Sequence, residues 1–184
     1  MLLYNDEERN LKSSLNEVKL FVLDVDGTMT DSGVIFDDSG REIKRFSSRD
    51  YVGAMAAHYM GLKLMVVTGR ESESTTRRMK EMQIDYVFQN IKNKRIFLED
   101  YLKKHDLTTD NIGYIGDDLN DYSAMSIAGF RACPSDAAPE IKELCDYVSE
   151  FKGGTGVLQD VFRFILTSMG RWDQFISEVV VDGY

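Results

Sequence analysis

The chain has 184 residues, with 22 Lys and Arg set against 31 Asp and Glu, for a formal net charge of -9. That balance repels nucleic acid and anionic membrane surfaces, and no apolar run reaches the ~18 residues of a membrane span, so no nucleic-acid or membrane partner is expected. Hydrophobic residues at 43% and only 2 prolines predict one folded domain over 1–184 rather than lobes joined by disordered linkers.

The opening stretch MLLYNDEERN is acidic and lacks the apolar core of a signal peptide. Cys133 and Cys145 form no CxxC pair and read as buried, reduced thiols. Together these predict a cytoplasmic protein. Residues 3–15 have the pattern of a short amphipathic helix within an N-terminal extension, 1–17. Residues 18–23 are a continuous apolar, β-favouring run, the mark of a buried parallel strand. It stops at Asp24-Val25-Asp26-Gly27.

Within 31–47, two alternating segments flank Asp38-Ser39-Gly40, a hairpin signature. Residues 49–60 have helical spacing. Residues 62–67 are a second buried strand, ended by Thr68-Gly69-Arg70. A charged helix (74–82), a short strand (85–88) and a helix (92–104) follow. A third strong strand, 112–115, ends in Gly116-Asp117-Asp118. Then come a helix (121–127), a strand (129–133), a helix opened by Pro139 (139–144), a short strand (147–148) and a helix (156–169). Residues 171–181 read as one more helix in a tail, 170–184, which either packs on its own chain or reaches a neighbour's site. Alternating strands and helices predict an α/β fold: a Rossmann-like parallel sheet flanked by helices on both faces, with a protruding β-hairpin.

Three strands end in polar residues. In an open α/β sheet the carboxyl ends of the strands form the ligand crevice. The first strand brings Asp24 and Asp26, the second Thr68, and the third Asp117 and Asp118, with Asp121 about one helical turn on. Carboxylates gathered in one crevice repel one another unless a cation sits among them. An all-oxygen set of this kind suits Mg²⁺, which accepts phosphate oxygens as further ligands. Zinc does not fit without clustered His or Cys, and His58 and His105 read as ordinary packing residues.

Asp24-Val25-Asp26-Gly27-Thr28-Met29-Thr30 resembles the DxDG[TV] signature of haloacid dehalogenase-type phosphatases. Thr68-Gly69 is similar to their second motif, Lys94 falls where the third motif's lysine is expected, and Gly116-Asp117-Asp118-Leu119-Asn120-Asp121 matches their GDDxxD. The resemblance covers roughly 18–161 in order and spacing. It implies that Asp24 is the nucleophile that becomes an aspartyl-phosphate and that Asp26 is the acid and then the base. It implies that the Asp24 carboxylate, the Asp26 carbonyl and Asp117 hold Mg²⁺, with Asp118 and Asp121 orienting that shell from behind. Thr68 and Lys94 then hold the phosphoryl oxygens.

Many members carry a cap domain after the first motif or between the second and third. Residues 30–49 leave room only for a hairpin, and 68–94 only for one helix and a strand, so this chain is expected to be capless. The stretch 31–50, with its F-x-x-R-D, is similar to the 3-deoxy-D-manno-octulosonate 8-phosphate (KDO 8-phosphate) phosphatase family, as are Gly53, Thr68-Gly69-Arg70 and Gly153-Gly154-x-Gly156. That resemblance implies a small phosphorylated keto-sugar acid as substrate, a place in lipopolysaccharide sugar synthesis, and a homotetramer in which hairpins pack together and neighbours complete each site. It places Arg49, Asp50, Gly69 and Arg70 on the substrate side, arginine being suited to fork onto a carboxylate. Tyr51 and Thr155 depart from the family's usual glycine and arginine and bear on the substrate more than the chemistry. The alternatives are a phosphatase of a nine-carbon keto-sugar acid 9-phosphate, against which Arg70 leans, and a non-catalytic oligomerisation module. A phospho-acceptor signalling domain shares the carboxylates and the lysine but not the DxD spacing or the late GDDxxD.

Overall fold

The structure is a computed structural model and describes residues 14–181. The expected N-terminal helix lies mostly outside the described residues; its end is present as a helical turn at 14–17. In chain order there follow β1 (Leu20–Leu23), the hairpin strands β2 (Ile35–Phe36) and β3 (Glu42–Ile43), α1 (Asp50–Tyr59), β4 (Lys63–Val67), α2 (Glu73–Glu81), β5 (Tyr86–Phe88) and α3 (Lys94–Lys104). Then come β6 (Ile112–Ile115), α4 (Leu119–Met125), β7 (Phe130–Cys133), α5 (Pro139–Leu144), β8 (Tyr147–Val148), α6 (Val157–Ser168) and α7 (Trp172–Phe175).

Six strands form one sheet in the order β5-β4-β1-β6-β7-β8, every neighbouring pair parallel. The order runs outward in both directions from β1, so the chain reverses its course between β1 and β6. In a doubly wound sheet that reversal opens a crevice at the strands' carboxyl ends.

β1 has both faces covered and is fully buried. Phe21 and Leu23 face a layer with Leu64, Val66, Phe130 and Phe162. The Phe21 ring meets Phe130 at 5.9 Å and Phe162 at 4.9 Å in edge-on geometry. Leu20 and Val22, one residue out of phase, join Met65, Val67, Leu98 and Tyr114 on the other face. Among the described residues no helix is long and apolar enough to cross a membrane.

The only insertion between β1 and α1 is the two-stranded hairpin, and between β4 and α3 there are only α2 and β5. Among the described residues there is no cap domain. The hairpin turn is built on Asp37, whose carboxylate accepts from the backbone N–H of Ser39 and of Arg41, each at 2.9 Å. Val34, Ile35, Phe36 and Ile43 stand 47–59% exposed, with nothing among the described residues to cover them.

The tail departs from the single helix expected. α7 has four residues and widens into a π-helix over Ile176–Val181. It packs on its own chain: Phe175 is fully buried, its ring 5.5 Å from that of Tyr59 on α1, and the Arg171 guanidinium lies 5.1 Å from the Tyr59 ring centroid.

Candidate active site

Asp24 follows the last residue of β1, and its backbone N–H donates to the Ile115 carbonyl at the end of β6, 2.9 Å away. This bond spans the crevice and fixes the first strand end against the third. The Asp24 side chain is buried, and the Lys94 ammonium donates to it and, at 2.7 Å, to Asp121. Asp121 also accepts from the Tyr114 hydroxyl at 2.7 Å and from the Asp117 backbone N–H at 3.2 Å. Asp117 accepts from the Thr28 hydroxyl at 3.0 Å. Asp24, Asp117 and Asp121 each offer a carboxylate oxygen within 4.8 Å of the others.

Local capping decides which lysine enters. The Asn93 side chain accepts from the Ile96 N–H at 3.1 Å, so α3 starts at Lys94 and not at residue 92. Lys92 instead donates to the Gly69 carbonyl, and Arg95 pairs with Glu99. Thr68, buried at the end of β4, is held by its N–H on the Phe88 carbonyl at 3.0 Å, and its hydroxyl oxygen accepts from the Arg70 N–H at 3.4 Å.

Burial pushes the Asp24 carboxyl well above the usual range, with Asp121 adding to the rise against the pull of Lys94. Burial and Asp121 also push Asp117 up to about 7. Burial works to lower the Lys94 ammonium, but Asp24 and Asp121 outweigh it and it stands above an ordinary lysine. One ammonium therefore does not neutralise the cluster. An all-oxygen donor set still short of positive charge fits Mg²⁺. Asp121, with its hydrogen bonds committed to Lys94, Tyr114 and Asp117, is placed to orient the others rather than to bind the ion itself.

Glycines let the backbone close around this cluster. Gly27 sits at φ +103, and a Cβ there would lie 1.9 Å from an Asp117 carboxylate oxygen. A Cβ on Gly153 would lie 1.9 Å from the Gly27 carbonyl oxygen, and the Gly154 N–H donates to the Thr28 carbonyl at 3.1 Å. The late glycine loop is thus seated directly on the loop that carries Asp26.

Two expected placements are corrected. Asp50, assigned to the substrate side, is instead buried between α1 and α6, where one carboxylate oxygen accepts from the Leu158 N–H at 3.0 Å and the other has no hydrogen-bond partner among the described residues. Asp118, expected behind the metal shell, is exposed and caps α4, accepting from the Leu119 N–H at 2.8 Å. Arg49 is exposed and lies over the Phe151 ring at 5.6 Å, and Arg70 pairs with Glu42 at 2.9 Å. Sequence reasoning missed Lys44, which follows β3 and donates to Asp26. Its signal was the alternation Glu42-x-Lys44, a charged hairpin face opposite exposed Ile43. It also missed Tyr114 as a partner of Asp121.

Asp50 predicts a pH dependence of stability. Burial raises its carboxyl from 3.8 to about 7, against the Leu158 hydrogen bond. Between those values the folded chain holds a proton that the unfolded chain releases, so this group's contribution falls as pH rises from about 4 to about 7. Asp50→Asn keeps an acceptor for Leu158 and cannot ionise. Its stability relative to the parent is expected to rise over that window by at most about 4 kcal/mol, read from urea unfolding at pH 4 and pH 8.

A sequence model of the haloacid dehalogenase-like hydrolase family matches residues 81–160. The chain is 29% identical to a 3-deoxy-D-manno-octulosonate 8-phosphate phosphatase of Escherichia coli, over 93% of this chain and 91% of that one. The enzyme of that name from Moraxella catarrhalis, solved with magnesium, phosphate and KDO, superposes with a TM-score of 0.85 at 32% identity, covering 95% of this chain and 98% of that one. A cobalt-bound deoxy-D-mannose-octulosonate 8-phosphate phosphatase from Haemophilus influenzae gives 0.81 at 30% identity, over 88% and 95%.

Proposed function

The chain belongs to the haloacid dehalogenase superfamily and, within it, to the capless KDO 8-phosphate phosphatases, and on that premise we propose that it is a Mg²⁺-dependent phosphatase releasing phosphate from 3-deoxy-D-manno-octulosonate 8-phosphate. The observation that carries the chemistry is the buried contact of Lys94 with Asp24 beside Asp117, at the point where the strand order reverses.

The substrate phosphate enters where Lys94 and Thr68 take up its oxygens. Asp24 attacks phosphorus, and Asp26 delivers a proton to the leaving sugar oxygen. Water then attacks the aspartyl-phosphate, with Asp26 accepting its proton. Mg²⁺ would be held by the Asp24 carboxylate, the Asp26 carbonyl and Asp117, and would supply the positive charge that the carboxylates lack. Asp121, fixed by Tyr114, keeps Lys94 aimed at Asp24. Nothing in this scheme needs the charge of the substrate's far end, which leaves Arg49 and Arg70 for its carboxylate.

The relatives named for KDO 8-phosphate support the eight-carbon substrate. The test is kcat/KM for KDO 8-phosphate and for a nine-carbon keto-acid 9-phosphate, side by side with Mg²⁺. A preference for the former of about tenfold or more is expected; the reverse would move the substrate while leaving the chemistry in place. The protein is further read as a cytoplasmic homotetramer, since the uncovered apolar side chains of the hairpin need a partner. A monomer in sedimentation at micromolar concentration would sink that reading.

A further inference from the structure

One buried cation in the crevice belongs to none of these roles. The Lys44 side chain is 2% exposed, against 27% for the Asp26 carboxylate that it contacts. A lysine is not buried without a partner to hold its charge. Lys44 has two, Asp26 and, at 3.5 Å, Glu42. Glu42 is 10% exposed and passes the chain of charges on to Arg70 at 2.9 Å. The same chain's α2 anchors the hairpin base: the Ser74 hydroxyl donates to the Glu42 carbonyl and Arg78 to the Ser47 carbonyl, each at 3.0 Å. Lys44 is therefore delivered to Asp26 in cis, by contacts within one chain.

We propose that Lys44 is a positioning residue for Asp26, acting on the second half of the reaction. The inference rests on the two-step phosphatase reading above. In that half, a water oxygen attacks phosphorus, the phosphorus–oxygen bond to Asp24 breaks with its electron pair returning to the Asp24 carboxylate, and the water proton passes to Asp26. Asp26 must enter this step as a carboxylate. A carboxylate at the edge of a crevice rotates freely unless something holds it, and misplacement by about an ångström costs orders of magnitude in rate. The ammonium fixes one carboxylate oxygen and leaves the other to face the water. In the first half the bound substrate itself places the leaving oxygen, whereas the attacking water has only Asp26 to orient it, so the clamp favours the hydrolytic half.

Hydrolysis of the aspartyl-phosphate is common to every substrate, and that gives the test its resolving power. Lys44→Met and Lys44→Arg holoenzymes with Mg²⁺ are compared with the parent on p-nitrophenyl phosphate and KDO 8-phosphate, with rapid mixing for the aryl substrate. For Lys44→Met, kcat is expected to fall by about 30- to 100-fold to one shared value for both substrates. A burst of one p-nitrophenol per site should precede the slow phase, and kcat/KM should stay within about threefold of the parent. Lys44→Arg should recover most of kcat. Loss of kcat/KM in step with kcat and without a burst would mean a structural role and overturn the proposal, as would an unchanged kcat. A parent enzyme inert on both substrates would instead overturn the phosphatase reading beneath it, before any variant is made.

Discussion

Asp24→Asn is expected to lower phosphate release by about ten-thousandfold or more while leaving a folded protein. Asparagine has nearly the volume of aspartate but offers no anionic oxygen to attack phosphorus. The environment predicts that the fold tolerates the change. Burial and Asp121 make the charged form of Asp24 costly, and the neutral amide removes that cost. Lys94 keeps its second partner, Asp121, at 2.7 Å. The thermal midpoint without metal should therefore be kept or raised. Phosphate release and thermal unfolding on the same sample check both halves. Residual turnover above about a thousandth of the parent would rule out Asp24 as the nucleophile, because in a side-chain set that acts as a unit, loss of the nucleophile costs nearly the whole rate enhancement.

Much of this arrangement was legible before the structure. The apolar runs that became β1, β4 and β6 are continuous and end in polar residues, and a doubly wound sheet has one place to gather such ends. Asp24, Thr68 and Asp117 lie at or just past those ends, and the buried contacts of Lys94 join α3 to the same point. The choice of Lys94 over Lys92 and Arg95 rested on resemblance; the structure supplies a local reason, the Asn93 cap. What could not be read is contact between segments far apart. Asp50 meets the N–H of Leu158, 108 residues away, and neighbouring Arg49 gave no sign that helix α1 turns the aspartate inward. Lys44 meets Asp26 only because the hairpin base folds back over the first loop, and a period-2 pattern gives a face without saying what lies opposite. The tail's apolar spacing suited a helix, but its anchor is the fit of Phe175 against Tyr59, which determines where the regular turns end.

Lys94→Met should affect both stability and rate, in a way that identifies the cluster's missing charge. Lys94 contacts two of the three clustered carboxylates, and removing it leaves buried like charges unpaired. Breaking a buried pair in this manner costs about 3–5 kcal/mol, and losing a charge aimed at the phosphoryl oxygens costs about a thousandfold in kcat/KM. The stability penalty should depend on two conditions. First, Mg²⁺ becomes the principal counter-charge for Asp24 and Asp117, so saturating Mg²⁺ should raise the variant's thermal midpoint by more than the parent's. Second, both carboxyls already stand above their ordinary range, Asp117 at about 7, and without the ammonium they rise further. Protons then relieve the repulsion as the pH falls, so the penalty should be largest near pH 8 and shrink towards pH 5.5. Scanning both proteins with and without Mg²⁺ at these two pH values gives the four differences required. A penalty independent of both metal and pH would mean that Lys94 matters for its packing alone, and the carboxylates would then need another account of how they share one crevice.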